Sequence, residues 1–181
     1  FHKKWTGCCH MYQLMLKPKG RGCGTINNFT TIRMKKRNFG ILTSISWNSN
    51  KWNGPATTED IKRSNYEWVK ENLRMEEDLN FAYDLYPSEA DGTFIAYTPM
   101  FDRKPSLEES KYVEIVFFKS LNYHLNQNFI VGFYAFPEIG RYVRQADHFI
   151  YKKYSAGGNV KSKPEHIVLL EKPMKLTTLS R

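Results

Sequence analysis

The feature that most constrains this chain is a succession of short strand-like segments with little helical sequence between them. Each of these segments either alternates polar residues with branched or aromatic ones or consists of a short apolar run. They are segments 25–46, 92–100, 112–120, 128–136, 148–154 and 166–171. Segment 56–72 has helical features, with Thr57 or Thr58 as N-cap and Glu59 and Asp60 in the first turn. Many short strands with one or two helices predict an α+β fold with a small, strongly curved sheet or barrel.

Three local features refine this prediction. Segment 56–72 is expected to form one short helix, or a helix broken near Asn65, with Trp68 packed into the core. The turn-rich segment 121–127 is expected to join two strands. Segment 155–164 contains glycine, serine and lysine and is expected to be a mobile basic loop.

Length and charge predict one domain with a basic N-terminal region. The 181 residues predict a single domain over 34–181, preceded by a basic extension of uncertain origin over 1–33. The net charge is +9, and residues 1–58 contain ten Lys or Arg and no Asp or Glu. The electrostatic field of such a positively charged region attracts a polyanion such as nucleic acid, although a solvated basic tail has the same composition.

The composition predicts a cytoplasmic protein without a membrane segment or cofactor. No apolar run approaches the ~20 residues that cross a bilayer, and the opening residues lack the apolar middle of a signal peptide. Cys8, Cys9 and Cys23 form no CxxC pair and are odd in number, which fits a reducing compartment. A zinc site from these cysteines and His10 would lack the usual ligand spacing.

Segment 39–54 combines a strand-like run with an aromatic and amide-rich loop. The run FGILTSIS leads into WNSNKWNG, which contains Trp47, Trp52, three asparagines and Lys51. Indole faces stack on flat bases and amides hydrogen-bond to base edges, so this segment predicts a nucleobase pocket. Ordinary core and rim aromatics are the alternative interpretation.

Basic residues also cluster late in the chain among aromatic ones. Together with Lys51, this cluster is expected to contact a nucleic-acid backbone, although a solvated loop has a similar composition. The expected backbone contacts are Lys51, Arg141, Arg144, Lys152, Lys153, Lys161 and Lys163.

The motifs of common enzymes are absent from the sequence, so the chain is not expected to be an enzyme. It contains no HExxH, no GxSxG elbow and no phosphate-binding loop. A metal-dependent nuclease remains an alternative, because Asp60 and Glu109 each stand two residues before a lysine, in the segments DIK and ESK.

Several segments resemble a known superfamily. IVFFKS, a turn and NFIVGFYAF are similar to the strand–turn–strand of EVE domains, and KPMKLTTLSR is similar to their closing segment. GILTSISWNSNKWNGPATTEDIKRSNYEWVKEN, followed by LNF, resembles the N-terminal modules of McrB-type restriction GTPases. The resemblance covers about residues 38–179.

The resemblance implies both a fold and a function. EVE, YTH and other PUA-like domains share a curved β-barrel flanked by helices, so the resemblance implies an α+β fold with a small curved β-barrel flanked by a few helices. Several of these domains bind a modified base in an aromatic cage. McrB-type modules recognise methylated DNA with the base flipped out, while other domains or subunits carry the motor and nuclease. Transferred to this chain, the resemblance makes Trp47 and Trp52 the cage walls. The edge readers, which hydrogen-bond to the edge of the base, are Ser44, Asn48 and Asn50. Further candidates for a wall are Tyr97, Phe101 and Phe118. RNA is an alternative ligand, because PUA-like and YTH-like barrels also bind RNA.

Overall fold

The structure is a computed structural model that describes residues 37–73, 75–84, 89–102, 105–144 and 157–177. The described residues form seven strands: β1 (Phe39–Ile45), β2 (Phe94–Ala96), β3 (Val113–Asn122), β4 (Gln127–Ala135), β5 (Glu138–Val143), β6 (Gly157–Ser162) and β7 (Ile167–Lys175). They also form the helices α1 (Thr58–Arg63), α2 (Glu67–Asn72) and α3 (Leu107–Ser110), and the 3₁₀ turns Glu76–Leu79, Pro99–Asp102 and Pro164–His166. The expected basic extension over 1–33 and the expected strand over 148–154 lie outside the described residues.

The strands belong to two sheets. One has the order β1-β3-β4-β7 and the other β2-β6-β5. β1 runs parallel to β3, with Phe39 opposite Val113, and the other pairs are antiparallel. The α+β class is therefore confirmed, whereas hydrogen bonds do not close the strands into one barrel within the part of the chain that the structure describes.

The hydrophobic core draws side chains from both sheets and is centred on aromatic residues. Phe81, Phe118 and Tyr134 are fully buried. The Phe81 and Phe118 ring centroids lie 5.5 Å apart, and those of Phe118 and Tyr134 lie 5.3 Å apart, each pair in a T-shaped arrangement. This is the favoured edge-to-face geometry of aromatic side chains. The residues immediately before Phe81, which border the candidate site described below, are thereby fixed to the core.

The helical segment is broken near Asn65, which is one of the two forms expected from the sequence. α1 ends at Arg63, and α2 begins at Glu67, directly after Tyr66, whose backbone is extended. The prediction that Trp68 packs in the core is wrong, because its side chain is 42% exposed while the adjacent Val69 is buried. A six-residue helix presents only a narrow stripe to the core, and neighbouring positions point about 100° apart.

Within the described residues, no helix has the length and apolar character needed to cross a membrane.

The prediction of a mobile loop over 155–164 is also wrong where the structure describes it. β6 is the central strand of the second sheet, between β2 and β5. A Cβ on Gly158 would lie 2.1 Å from the Ile95 side chain, so a glycine permits this close approach of two strands. Asn159 and Ser162 are buried and donate to the carbonyls of Thr98 and Ala135, at 2.8 Å and 2.6 Å.

Candidate functional site: the tryptophan loop

Residues 46–54, which we call the tryptophan loop, follow β1 and contain one interior and one partly exposed indole. Trp52 is 3% exposed, and its Nε1 donates a 3.0 Å hydrogen bond to the carbonyl of Ser46. Trp47 is half-buried and packs edge-to-face on Trp52, with 5.7 Å between the ring centroids. Trp52 in turn packs on Phe81 at 6.4 Å. The Trp47 ring is therefore supported from below by the core.

The path of the backbone explains why two tryptophans five positions apart have different environments. Lys51 and Trp52 both have left-handed backbone, with φ values of 57° and 55°. This conformation is uncommon for residues with a side chain and often occurs at functional sites. The reversal turns Trp52 inward and leaves Asn50 and Lys51 exposed.

Asn48 holds the loop from inside. Its Nδ2 donates to the carbonyl of Gly54 at 2.9 Å and to Oδ1 of Asp78 at 2.8 Å. Its Oδ1 accepts a 2.7 Å hydrogen bond from the backbone N–H of Asn50. Both the Nδ2 and the Oδ1 of the Asn48 amide are therefore hydrogen-bonded within the protein. At the surface, Asn50 Nδ2 donates to the carbonyl of Pro55 at 2.6 Å.

Asp60 fixes both ends of the segment that follows β1. It is the third residue of α1, where its buried carboxylate accepts from the backbone N–H and hydroxyl of Thr57 at 3.0 Å and 2.8 Å. It also accepts from the N–H and hydroxyl of Ser49 at 3.0 Å and 2.8 Å, and from the Tyr123 hydroxyl at 2.6 Å. Burial acts to raise the pKa of Asp60, but these hydrogen bonds outweigh it and the pKa is lowered. The carboxylate is thus ionised and holds the loop at neutral pH.

Segment 75–81 lies beneath the tryptophan loop and contains a second buried carboxyl group. Glu77 is 4% exposed and accepts a 3.5 Å hydrogen bond from the Ser46 hydroxyl. Burial, with the neighbouring carboxylates of Asp78 and Glu76, raises the pKa of Glu77 to about 7. A carboxyl with such a pKa carries a proton for part of the time at neutral pH, which is a property common at functional sites.

Tyr97 and Arg144 border the same segment. Tyr97 is half-buried and its hydroxyl donates to Asp102 Oδ2 at 2.9 Å. Burial, Asp102, Glu76 and Glu77 all raise the pKa of Tyr97. Arg144 donates from Nη1 to the carbonyl of Glu76 at 3.0 Å, and from Nη2 to Asn80 Oδ1 at 2.9 Å. The arrangement therefore combines aromatic surface, buried carboxyl groups and a guanidinium group.

The expected base-binding residues fall into three groups by burial. Trp47 and Tyr97 are half-buried, while Ser44 and Asn50 are exposed. The others are buried, namely Asn48, Trp52, Phe101 and Phe118. A cage with two accessible tryptophan walls is therefore corrected to a single half-exposed indole on a buried one, because the Trp52 ring and its N–H are used inside the protein. Ser44 points away from Thr43 and Ile45, its buried neighbours on β1.

The expected backbone-contacting residues are likewise divided. Lys51, Arg141 and Lys163 are exposed. Lys161 Nζ instead lies 2.8 Å from Asp91 and 3.3 Å from Glu138. The ammonium group of Lys161 is therefore paired with carboxylates of the protein itself. The guanidinium group of Arg144 is likewise hydrogen-bonded to segment 75–81. Lys152 and Lys153 lie outside the described residues.

The two carboxylates considered for a nuclease have a structural explanation. Asp60 closes a capping box with Thr57, and Glu109 closes one with Ser106. A capping-box acid is favoured at the third helical position, and this accounts for both residues without a shared site. In the part of the chain that the structure describes, no three His, Cys, Asp or Glu side chains are grouped so that they could hold a metal ion.

Three residues of this site were missed by the sequence analysis in these roles: Glu77, Tyr123 and Asp60 as an anchor of the loop. The capping-box pattern at Thr57 was a usable signal for Asp60.

Comparisons with protein families, curated proteins and solved structures found no match to the chain.

Proposed function

We propose that this chain is a specificity module that binds nucleic acid and recognises a modified base, in particular a methylated base in DNA. The base is flipped out of the duplex and stacks on Trp47. The observation that carries this proposal is the half-exposed Trp47 ring, which rests on a buried indole in a loop held by Asn48 and Asp60. A rigid aromatic surface needs little ordering when a ligand binds.

The energetics require more than one aromatic contact. Stacking contributes about 1–3 kcal/mol per base, and flipping costs a few kcal/mol. Trp47 alone therefore roughly offsets the cost of extrusion, and a second contact must add to it. Tyr97 is the half-buried aromatic residue proposed for this role, and the exposed Asn50 is the proposed edge reader.

The remaining affinity is assigned to phosphate contacts by the exposed Lys51, Arg141 and Lys163. Such contacts release counterions, so binding should weaken steeply as salt rises. In this proposal the two sheets are the walls of a curved PUA-like barrel, and the module serves a cytoplasmic McrB-type restriction system. The motor and nuclease activities then belong to other domains or subunits.

Replacing Trp47 by alanine is expected to weaken binding of a methylated duplex by about 5- to 150-fold, because one stacking contact of about 1–3 kcal/mol is lost. Fluorescence anisotropy with unmodified, methyl-cytosine and methyl-adenine duplexes measures the effect at two salt concentrations. Circular dichroism shows whether the variant remains folded.

The matched control is Trp68→Ala, which removes an exposed indole on α2 and should leave affinity unchanged. Equal affinity of folded Trp47→Ala and wild-type protein would exclude the proposed stacking. Methylated single-stranded RNA that outcompetes every duplex would identify the module as an RNA reader instead.

A further inference from the structure

We infer that Tyr123 is a positioning residue for the tryptophan loop and acts on it through the carboxylate of Asp60. Tyr123 lies in the turn between β3 and β4, 63 positions away from Asp60 in the sequence. The inference rests on the proposed function, because it assigns to this contact the task of holding the base-binding loop in its binding geometry.

The contact is short and converges on the atoms that hold the loop. The Tyr123 hydroxyl donates to Asp60 Oδ1 at 2.6 Å, and the same oxygen accepts from the Ser49 hydroxyl at 2.8 Å. The other oxygen accepts from the backbone N–H groups of Ser49 and Thr57, both at 3.0 Å. One carboxylate therefore connects the β3–β4 turn to the chain on both sides of residues 50–56.

The surroundings of Tyr123 keep its ring in place. Its centroid lies 4.4 Å from the His124 ring and 5.5 Å from the Arg63 guanidinium carbon. Arg63 is itself paired with Glu59 at 2.7 Å. Burial and the hydrogen bond to Asp60 raise the pKa of Tyr123, so the hydroxyl stays protonated and remains a donor.

The chemistry of Asp60 explains why this donor matters. A buried carboxylate is stable only when its oxygens accept hydrogen bonds, and bonds to an ionised group are stronger than neutral ones. Without the Tyr123 hydroxyl, Asp60 keeps only donors from Thr57 and Ser49. These donors belong to the segment that must be held, so the loop loses the hydrogen bond that connects it, through Asp60, to the turn between β3 and β4.

Tyr123→Phe removes this hydroxyl and keeps the ring. In the full chain, amide hydrogen exchange followed by NMR should show Ser49 and Thr57 exchanging at least about tenfold faster, as expected for loss of a hydrogen bond to a charged group. The amide of Val116, a buried residue of β3 that is paired with both β1 and β4, should exchange as it does in a control variant. That control is Tyr142→Phe, which removes a hydroxyl from β5 of the other sheet.

The same variants are then titrated with the methylated duplex that binds the wild-type chain best. Tyr123→Phe should bind about three- to tenfold more weakly than Tyr142→Phe, because the binding-competent loop is less populated. Unchanged exchange at Ser49 and Thr57 would overturn the inference. Equal acceleration at Val116 would also overturn it, since it would indicate a general loss of stability.

Faster exchange confined to the loop, combined with unchanged affinity, would refute a positioning role in binding. If the wild-type chain binds no nucleic acid, the proposed function fails. The exchange contrast between Tyr123→Phe and Tyr142→Phe then decides separately whether Tyr123 holds the loop.

Discussion

Replacing Trp52 by alanine is expected to lower the free energy of unfolding by about 3–5 kcal/mol, the usual cost of truncating a large core aromatic. The ring is buried against Phe81 and Trp47, and its N–H is bonded to Ser46, so the variant leaves both a cavity and an unpaired carbonyl. Urea denaturation followed by circular dichroism measures the change.

The control for this prediction is the third described indole. Trp68 is 42% exposed, and Trp68→Ala should change the free energy of unfolding by no more than about 1 kcal/mol. Equal stabilities of Trp52→Ala and Trp68→Ala would mean that Trp52 does not belong to the core. A cage with two accessible tryptophan walls would then regain its basis.

Glu77→Gln is expected to stabilise the protein at pH 8 far more than at pH 5. Burial raises the pKa of Glu77 from 4.5 to about 7, so the folded state binds this proton more tightly than the unfolded state does. The favourable contribution of the protonated group is complete below the unfolded pKa and is lost as the pH rises through about 7. Glutamine stays neutral throughout, so the variant avoids a penalty of about 3 kcal/mol at pH 8.

Urea denaturation at pH 5 and pH 8 measures this effect. The advantage of Glu77→Gln over wild type should be about 2–3 kcal/mol larger at pH 8 than at pH 5. Glu165→Gln, at an exposed position, should show little difference between the two pH values. Parallel behaviour of the two variants would contradict a desolvated Glu77 carboxyl.

The elements that the sequence predicts well are those with strong local signals. β3, β4 and the turn between them follow from alternating and apolar runs around a polar turn, and the break before α2 also has a local cause. β5 was missed, and β6 has the composition of a loop. It is a strand because it pairs with both β2 and β5, and this pairing is visible only in the tertiary structure.

The candidate site was predictable in its location but not in its architecture. Trp47 and Trp52 occupy similar amide-rich surroundings in the sequence. Their different environments depend on left-handed backbone at Lys51 and Trp52, which no residue type in the loop requires. The contact between Asp60 and Tyr123 joins positions 63 residues apart, beyond the range of any local pattern.

The parallel pairing of β1 with β3 has a consequence for biosynthesis. β1 leaves the ribosome long before its hydrogen-bonding partner, since Phe39 pairs with Val113. The apolar residues of β1 therefore lack their sheet partner on the nascent chain until β3 has been translated. Pairings between distant segments fold slowly, and such intermediates tend to aggregate. The time for which β1 stays unpaired therefore grows with the time needed to translate residues 46–122.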